Sequence, residues 1–194
     1  MAHPPDADCR HDPGTAIPEG MDTRALLIEA FGRIQPLVES VVDGLDADRL
    51  AARPDAEANS IAWLVWHLTR IQDDHVADLA GTGQVWTAGG WEARFGLPFD
   101  KRATGYGHTS EEVAAVRPES SDLLTGYHAE VAAATRTFLD QLSDDDLDRV
   151  VDEAWDPPVT LGVRLVSVIG DDLAHVGQAA YVRGLVQRAA ENAH

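Results

Sequence analysis

The sequence predicts an all-α protein: a four-helix bundle with a long crossover between the second and third helices. Four segments carry apolar residues at steps of three and four, which is typical of amphipathic helices. No segment alternates apolar and polar residues convincingly, so no sheet is expected. With 194 residues, 44% of them apolar, the chain is long enough for one domain with a full core.

The first helix is expected from Asp22, a suitable N-cap, to Gly44, a suitable stop. Pro36 lies inside this pattern and should kink or divide the helix. Residues 1–20 contain turn formers and charges without an apolar period. They are expected to form a disordered tail before a single domain over residues 21–194.

The second helix is expected from Asn59 or Ser60 to Gly81, and the crossover follows it over residues 81–109. Loops this long in a compact domain are usually functional or disordered. Aromatic residues argue against disorder, so the crossover should pack on the rest of the molecule. Five aromatic residues lie in it: Trp86, Trp91, Phe95, Phe99 and Tyr106.

The third helix is expected from Ser120 or Ser121 to Leu142, with a short helix over residues 110–116 before it. The fourth is expected from its cap at Thr160 to about Ala189. At about 1.5 Å per residue it would be some 45 Å long. It is therefore the longest element of the bundle.

Composition excludes several classes of protein. Fifteen basic side chains against 33 acidic ones give a net charge of −18, which would repel nucleic acid. A single cysteine excludes a disulfide framework. The longest apolar run, residues 61–66, is far shorter than the roughly 20 residues of a membrane span, and no signal peptide is apparent. A soluble, cytoplasmic protein without membrane contacts is expected.

Two helices carry polar residues on apolar faces. His67 shares a stripe with Leu64, so it should point inward, where either a metal or a hydrogen bond to a neighbouring helix would satisfy it. Asp171 precedes His175 by four residues, so the two side chains share one helix face and can reach one cation. An Asp–His hydrogen bond is the simpler alternative, and Asp172 is a second candidate carboxylate.

Two segments together resemble the DinB-like superfamily, most closely an actinobacterial branch. These are residues 59–68 (NSIAWLVWHL) and residues 171–178 (DDLAHVGQ). The resemblance extends over nearly the whole chain from about residue 22, and it implies that His67, Asp171 and His175 bind a divalent ion. The common motif has histidine at the position of Asp171, whereas the mycothiol-dependent maleylpyruvate isomerase branch has a carboxylate there.

Two imidazoles and a carboxylate suit catalytic zinc, and also iron, manganese or nickel. Three protein ligands leave a position open for water or substrate. The resemblance also implies a thiol-dependent transferase or isomerase that uses mycothiol or another low-molecular-weight thiol. In such an enzyme the cation lowers the pKa of the bound thiol, which then attacks a small electrophile.

A hydrolase that uses metal-bound hydroxide is the first alternative. Asp74, His75 and His108 are the candidate catalytic residues, as proton shuttles. Asp74 would otherwise belong to a solvated helix face, and His108 would otherwise make a surface hydrogen bond.

A metal-stabilised, non-catalytic dimer is the second alternative. In an enzyme the crossover aromatics should line the pocket, and Trp86, Trp91 and Tyr106 are the candidate residues for binding the thiol. In a binding module, Trp86, Trp91 and Phe95 would instead anchor an interface. A homodimer is expected.

Overall fold

The computed structural model of the protein describes residues 20–192, and the predicted tail lies outside them except for Gly20. The all-α four-helix bundle with a long crossover is confirmed. The bundle consists of α1 (Thr23–Gly32) followed by α2 (Ile34–Val42), then α4 (Ile61–Ala80), α8 (Ser121–Leu139) and α9 (Leu161–Asn192). Shorter helices lie between them: α3 (Ala47–Ala51), α5 (Val85–Ala88), α6 (Trp91–Phe95) and α7 (Ser110–Ala115).

The first predicted helix is divided, as Pro36 indicated. The carboxylate of Asp22 accepts a hydrogen bond from the backbone N–H of Ala25 at 2.7 Å and caps α1. The division falls between Gly32 and Ile34. A proline ring clashes with the carbonyl four residues earlier, which here belongs to Gly32. Pro36 itself sits in the first turn of α2, where its missing N–H costs no helical hydrogen bond.

The helix α4 is the central element of the bundle. Its N-cap is Ser60, whose hydroxyl accepts a hydrogen bond from the N–H of Trp63 at 3.1 Å. It ends at Gly81, which adopts a left-handed conformation with φ of 66°. Most of its side chains are buried because α8 and α9 both pack against it.

The helices α4 and α8 run parallel. Two hydrogen bonds establish their direction: Thr69 contacts His128 at 3.2 Å, and Gln72 donates to Thr135 at 2.8 Å, further along both helices. A chain that leaves the end of one helix must return along the bundle before it can start a parallel neighbour. The length of the crossover therefore follows from this topology.

The helix α9 runs antiparallel to α4. His175 lies beside His67, with ring centroids 4.8 Å apart, whereas the earlier residue Arg164 bonds to the later residue His75. The two helices consequently share one long seam.

The crossover packs on the bundle through its tryptophans. The rings of Trp86 and Trp91 lie 5.2 and 5.6 Å from the ring of Tyr127 on α8. The indole of Trp91 also donates a hydrogen bond to Glu130 at 2.8 Å. A Cβ added at Gly126 would approach Trp91 to 2.8 Å, so only glycine allows this close contact. The expected packing of the aromatic segment is therefore observed.

A buried polar network anchors the start of the crossover. Asp73 on α4 accepts hydrogen bonds from the N–H groups of Val85 and Trp86, at 2.8 and 2.7 Å, and from the Tyr127 hydroxyl at 2.8 Å. Arg70 lies 3.5 Å from the same carboxylate and donates to the Ala103 carbonyl at 3.1 Å. Both ends of the crossover are thus tied to one turn of α4.

The expectation that no sheet forms is wrong in one place. A small antiparallel hairpin, β1 (Val150–Asp152) and β2 (Val159–Thr160), precedes α9. Strands of three and two residues are too short to show alternation in the sequence. None of the helices in the described part of the chain is both long and apolar enough to cross a membrane.

Candidate metal centre

Three potential metal ligands converge at the seam between α4 and α9. His67 comes from α4, and Asp171 and His175 come from successive turns of α9. Their ligand atoms all lie within 4.8 Å of one another, and within residues 20–192 this is the one such group of histidines and carboxylates found. Asp172 is fully buried in the core stripe of α9 instead, so Asp171 is the carboxylate that accompanies the imidazoles.

A backbone carbonyl of the crossover orients His67. The His67 Nδ1–H donates to the Thr104 oxygen at 2.5 Å, which leaves Nε2 with its lone pair free. The loop can approach the His67 imidazole this closely only because the residue after Thr104 is a glycine. Gly105 has a φ of 100°, and a Cβ there would lie 2.6 Å from His67 Nδ1.

His175 is oriented in the same manner by its own helix. Its Nδ1–H donates to the side-chain oxygen of Gln178 at 2.9 Å, and its Nε2 lies 3.5 Å from Asp171 Oδ1. Two atoms bound to one zinc ion at about 2.1 Å in tetrahedral geometry are about 3.4 Å apart, which agrees with this separation. Metal-bound histidines usually donate their other N–H to a carbonyl or carboxylate.

The electrostatics of Asp171 also suit a cation. Burial acts to raise the pKa of this carboxyl, but the hydrogen bond to His175 and the charges of the nearby imidazoles outweigh it, so the pKa is lowered. Its Oδ2 is buried and has no hydrogen-bond partner within the described chain. A buried carboxylate oxygen without a partner is costly, and a bound cation would satisfy it. The residues present therefore fit a divalent metal.

Two further histidines near the site have the opposite tautomer. Trp63 Nε1–H donates to His108 Nδ1 at 3.2 Å, and Arg164 lies 3.1 Å from His75 Nδ1. Tryptophan and arginine can only donate, so the neutral forms of His108 and His75 carry their hydrogen on Nε2. These two side chains are hydrogen-bond donors, whereas His67 is prepared to act as a ligand.

Their pKa values support the neutral form. Burial lowers the pKa of His75, and the positive charge of Arg164 lowers it further. Burial likewise lowers the pKa of His108. By contrast, the hydrogen bond to Asp171 raises the pKa of His175. In the neutral form neither His75 nor His108 can accept a proton without losing the hydrogen bond at its Nδ1.

Trp63 connects these groups. Its ring stacks on the His67 imidazole, with centroids 4.6 Å apart and planes 15° apart, while its N–H holds His108. The edge of the same indole meets His175 at a centroid distance of 6.4 Å. One buried indole therefore restricts the orientation of three imidazoles.

The other predicted site residues are dispersed. Asp74 accepts a hydrogen bond from Gln84 at 2.6 Å and does not belong to the ligand group. Trp86 and Trp91 are 3% and 2% exposed in the core, so neither indole is open to a ligand or to an interface. Their assignment to thiol binding has no support from this placement. Tyr106 is 92% exposed beside the loop that covers His67, and its thiol contact stays a prediction.

Sequence reasoning assigned no role to Thr104, Gln178, Trp63 or Arg164. Two of them carried a usable signal: Gln178 lies three residues after His175, and Trp63 lies four residues before His67, so each shares a helix face with its partner. Thr104 acts through its backbone carbonyl, which no side-chain pattern can reveal. Arg164 reaches His75 only because of how α9 packs on α4.

Comparisons with known proteins find a matching family and a similar solved structure. A sequence profile described as "Mycothiol-S-transferase" matches residues 27–188. A crystal structure of a conserved protein from Enterococcus faecalis is similar, with a TM-score of 0.81 and 34% sequence identity over 86% of this chain and 98% of that one. No protein with a curated functional description matches the chain.

Proposed function

The chain belongs to the mycothiol-S-transferase family, within the DinB-like superfamily, and on that premise we propose that it is a divalent-metal-dependent enzyme acting on thiols. Its reaction is the transfer of the sulfur of mycothiol, or of a similar low-molecular-weight thiol, to a small electrophile. A thiol-dependent isomerisation is a variant of the same chemistry, in which the thiol is released again. Zinc is the proposed metal, with nickel, iron and manganese as alternatives.

The observation that carries the proposal is the arrangement of His67, Asp171 and His175. Carbonyl oxygens accept from both Nδ1 atoms and leave both Nε2 atoms free, and one ligand atom from each of the three residues lies within 4.8 Å of the others. Asp171 Oδ1 lies 3.5 Å from His175 Nε2, and the other oxygen of the same carboxylate is buried without a partner in the described chain. Three ligands of this kind leave coordination positions open, which is the property of catalytic zinc sites rather than structural ones. The Asp171 side chain is about one-third exposed, which leaves the group accessible to solvent and to a thiol.

Each part of the site then has a chemical task. A bound cation supplies a lowered thiol pKa, and therefore a thiolate at neutral pH. The S–H proton passes to solvent water, a bond forms between sulfur and the electrophilic carbon, and the leaving group departs with the electrons of its bond. His75 and His108 present Nε2–H groups, which suits them to hydrogen-bond the electrophile or the leaving group.

The test is conjugation of mycothiol to monochlorobimane by the purified protein reconstituted with zinc. We expect turnover that disappears after chelation and falls at least 100-fold in His175→Ala and His67→Ala. Asp140→Asn removes an exposed carboxylate just after the end of α8 and should behave as the wild type. Conjugation that is equally fast in His175→Ala would overturn the proposal.

The identity of the metal is tested separately. Elemental analysis of the purified wild type should give close to one equivalent of zinc, and His67→Ala should retain almost none. Equal metal content in both proteins would exclude the proposed ligand set. A different first-row metal at one equivalent would change the identity of the ion but keep the site.

A hydrolase is the second candidate, and the accessibility of Asp171 and His175 to solvent favours it, because water can reach the same positions. Hydrolysis of an ester and amide panel in the absence of any thiol distinguishes the two. Activity in that assay together with no bimane conjugate would replace the transferase by the hydrolase.

The expected homodimer is also proposed. Val163 and Val166 on α9 are each more than half exposed, which gives the long helix an apolar outer face. Sedimentation equilibrium should give twice the mass of the chain. A monomer at micromolar concentration would contradict the proposal.

A further inference from the structure

A cavity of about 560 Å³ opens between the C-terminal ends of α4 and α8, and its lining contains none of the three candidate metal ligands. The lining residues Val76 to Ala80 lie about 14–20 Å beyond His67 along α4, at about 1.5 Å per residue. The cavity also lies on the α8 side of α4, whereas the metal centre lies on the α9 side. It is therefore a separate space, and its volume suits a small organic molecule.

The inner wall of the cavity is either apolar or already hydrogen-bonded. Two buried polar side chains, Asp73 and Thr135, belong to it. Asp73 holds the start of α5 as described above, and the Thr135 hydroxyl accepts from Gln72 at 2.8 Å and donates to a backbone carbonyl at 2.9 Å. A hydrocarbon group can therefore lie against this wall without breaking a hydrogen bond. The buried apolar residues of the lining are Val76, Ala77, Leu79 and Val131.

The other walls are held in shape by the protein itself. Arg149, which lies at the mouth, donates to the Leu79 carbonyl at 3.3 Å. The Thr82 N–H donates to the Ala77 carbonyl at 2.9 Å and fixes the turn that follows α4. Binding would consequently require little ordering of the chain.

Each charged side chain of the lining has a neighbour of opposite sign. Buried Asp73 lies 3.5 Å from Arg70. At the mouth, hydrogen bonds from Ser143 hold the pKa of the Asp146 carboxyl below its usual value, and the nearby charge of Arg149 lowers it further. Asp146 is therefore ionised beside the guanidinium. An ionic ligand would find no uncompensated opposite charge here, and the net charge of −18 disfavours an anion further.

Hydrogen-bond donors are concentrated at the mouth of the cavity. Arg149, Gln141, Thr82 and Thr137 are exposed there. A guanidinium has five N–H groups and no acceptor, so Arg149 can bond a ligand oxygen in addition to the Leu79 carbonyl. A ligand that places its apolar part inside would therefore gain most from an acceptor at its outer end.

We infer that this cavity is a second ligand site, and that its ligand is an uncharged molecule with an apolar body and a carbonyl, ether or hydroxyl oxygen at one end. The inference goes beyond the proposed function and does not depend on it, because neither the metal ligands nor a thiol takes part.

The test is a fluorescence titration of the zinc-loaded protein with N-phenyl-1-naphthylamine, an uncharged dye. We expect a Kd on the order of 10 μM in the wild type. Ala134→Trp places an indole in the cavity from its exposed wall on α8 and should weaken binding at least tenfold. Ala133→Trp, one residue earlier on α8 and outside the lining, is the matched control and should stay within twofold. Equal affinity in Ala134→Trp and the wild type, or a loss confined to Ala133→Trp, would overturn the inference.

The class of ligand is tested with a second dye, 1-anilinonaphthalene-8-sulfonate, which has the same rings and a negative charge. It should bind at least tenfold more weakly than the uncharged dye. Asp146→Asn should strengthen binding of the sulfonate severalfold and leave the uncharged dye within twofold, because only the sulfonate is repelled by this carboxylate. Tighter binding of the sulfonate by the wild type would overturn the assignment of an uncharged ligand.

The acceptor at the outer end is tested by competition. The ketone 2-nonanone should displace N-phenyl-1-naphthylamine, and Arg149→Gln should weaken this competition severalfold while the dye itself stays within twofold. Competition of equal strength in both proteins would show that Arg149 does not bind the ligand oxygen and would overturn that part of the inference.

A measurement on the wild type keeps the test independent of how the variants fold. The N–H groups of Val85 and Trp86 donate to Asp73 in the cavity wall, so saturating dye should slow their hydrogen exchange at least threefold. The N–H of His108, which bonds to Gly105 at the other end of the crossover, should change less. Unchanged exchange at Val85 and Trp86 in the saturated protein would place the dye elsewhere and overturn the inference.

Discussion

Gly105 shows how one missing side chain can determine the geometry of the site. The loop that holds His67 approaches its imidazole so closely that a Cβ would lie 2.6 Å from Nδ1. We expect Gly105→Ala to displace the loop, to break the hydrogen bond between His67 and Thr104, and to weaken metal affinity about 10–100-fold. A competition titration with a chromophoric chelator measures this change.

Gly107 provides the matched control for that experiment. Its φ of 74° is also positive, but a Cβ there would meet nothing within 4 Å. Gly107→Ala therefore introduces a similar backbone strain without the clash, and it should lower the free energy of unfolding while metal affinity is retained. Equal metal affinity in the two variants would contradict the role assigned to Gly105.

His128 makes stability depend on pH. The Thr69 hydroxyl donates to the Val65 carbonyl and so accepts from His128, and burial lowers the pKa of His128 to about 4. In the unfolded chain His128 takes up a proton below pH 6.5, its ordinary pKa. In the folded protein it takes up this proton only as the pH falls to about 4. The contribution of His128 to stability is therefore complete above pH 6.5 and is lost as the pH falls towards 4.

Denaturant unfolding of the wild type and of His128→Gln over this range tests the argument. The difference in their free energies of unfolding should shrink by about 3 kcal/mol between pH 7 and pH 4, because one proton and about 2.5 pH units are involved. His67, His75 and His108 are present in both proteins, so the subtraction removes their titration. A difference that is constant with pH would show that His128 protonates normally in the fold.

At the residue scale, the sequence identified candidate residues more reliably than it predicted the surroundings of their side chains. The spacing of Asp171 and His175 placed both on one helix face, and the structure brings His67 to the same point. Trp86 and Trp91 were expected to line a pocket but pack in the core. An aromatic residue looks the same in the sequence whether it belongs to a core or to a binding site. Only the packing shows which of these two roles it has.

Among the elements, α4 and the crossover are joined mainly through Asp73. Asp73→Asn leaves Arg70 buried without its charge partner and weakens the bonds to the start of α5. We expect the free energy of unfolding to fall by about 3 kcal/mol or more. Equilibrium unfolding in urea measures it.

The control for that variant is an exposed ion pair at the C-terminal end of α8. Arg136 and Asp140 lie 2.9 Å apart at the surface, and Asp140→Asn should change stability by less than about 1 kcal/mol. Similar losses in the two variants would show that the buried network does not anchor the crossover.

The elements themselves were largely predictable because they are long. Caps at Asp22 and Ser60, the stop at Gly81 and the division near Pro36 all follow from local stereochemistry. Predicted helix ends were wrong by three residues at α8, which ends at Leu139 rather than Leu142. Within the crossover, α5 and α6 are one-turn helices, too short to produce an apolar period.

In the whole molecule, the candidate metal centre joins the two helices that share the longest seam. A cation held by His67 and His175 would bind the folded protein alone, because α4 and α9 separate on unfolding. At a free zinc concentration about 100 times Kd, the expected gain is about 2.7 kcal/mol, or about 5–10 °C in Tm. Scanning calorimetry with zinc and with a chelator measures this difference.

His175→Ala is the decisive variant for that measurement. It should remove the dependence of Tm on zinc, and its Tm should equal that of the chelated wild type within a few degrees. A zinc-dependent Tm that persists in His175→Ala would place the bound ion elsewhere in the chain.

Two consecutive carbonyls of the crossover are held by side chains one helical turn apart: Ala103 by Arg70 and Thr104 by His67. An ion bound there would leave slowly while His67 is fixed in this way, because the imidazole cannot swing away from the ion unless the loop opens. We therefore expect ion exchange to be gated by local opening of residues 103–105, and its half-life to follow amide hydrogen exchange in that segment rather than equilibrium affinity. Two variants with equal Kd can then retain their metal for very different times.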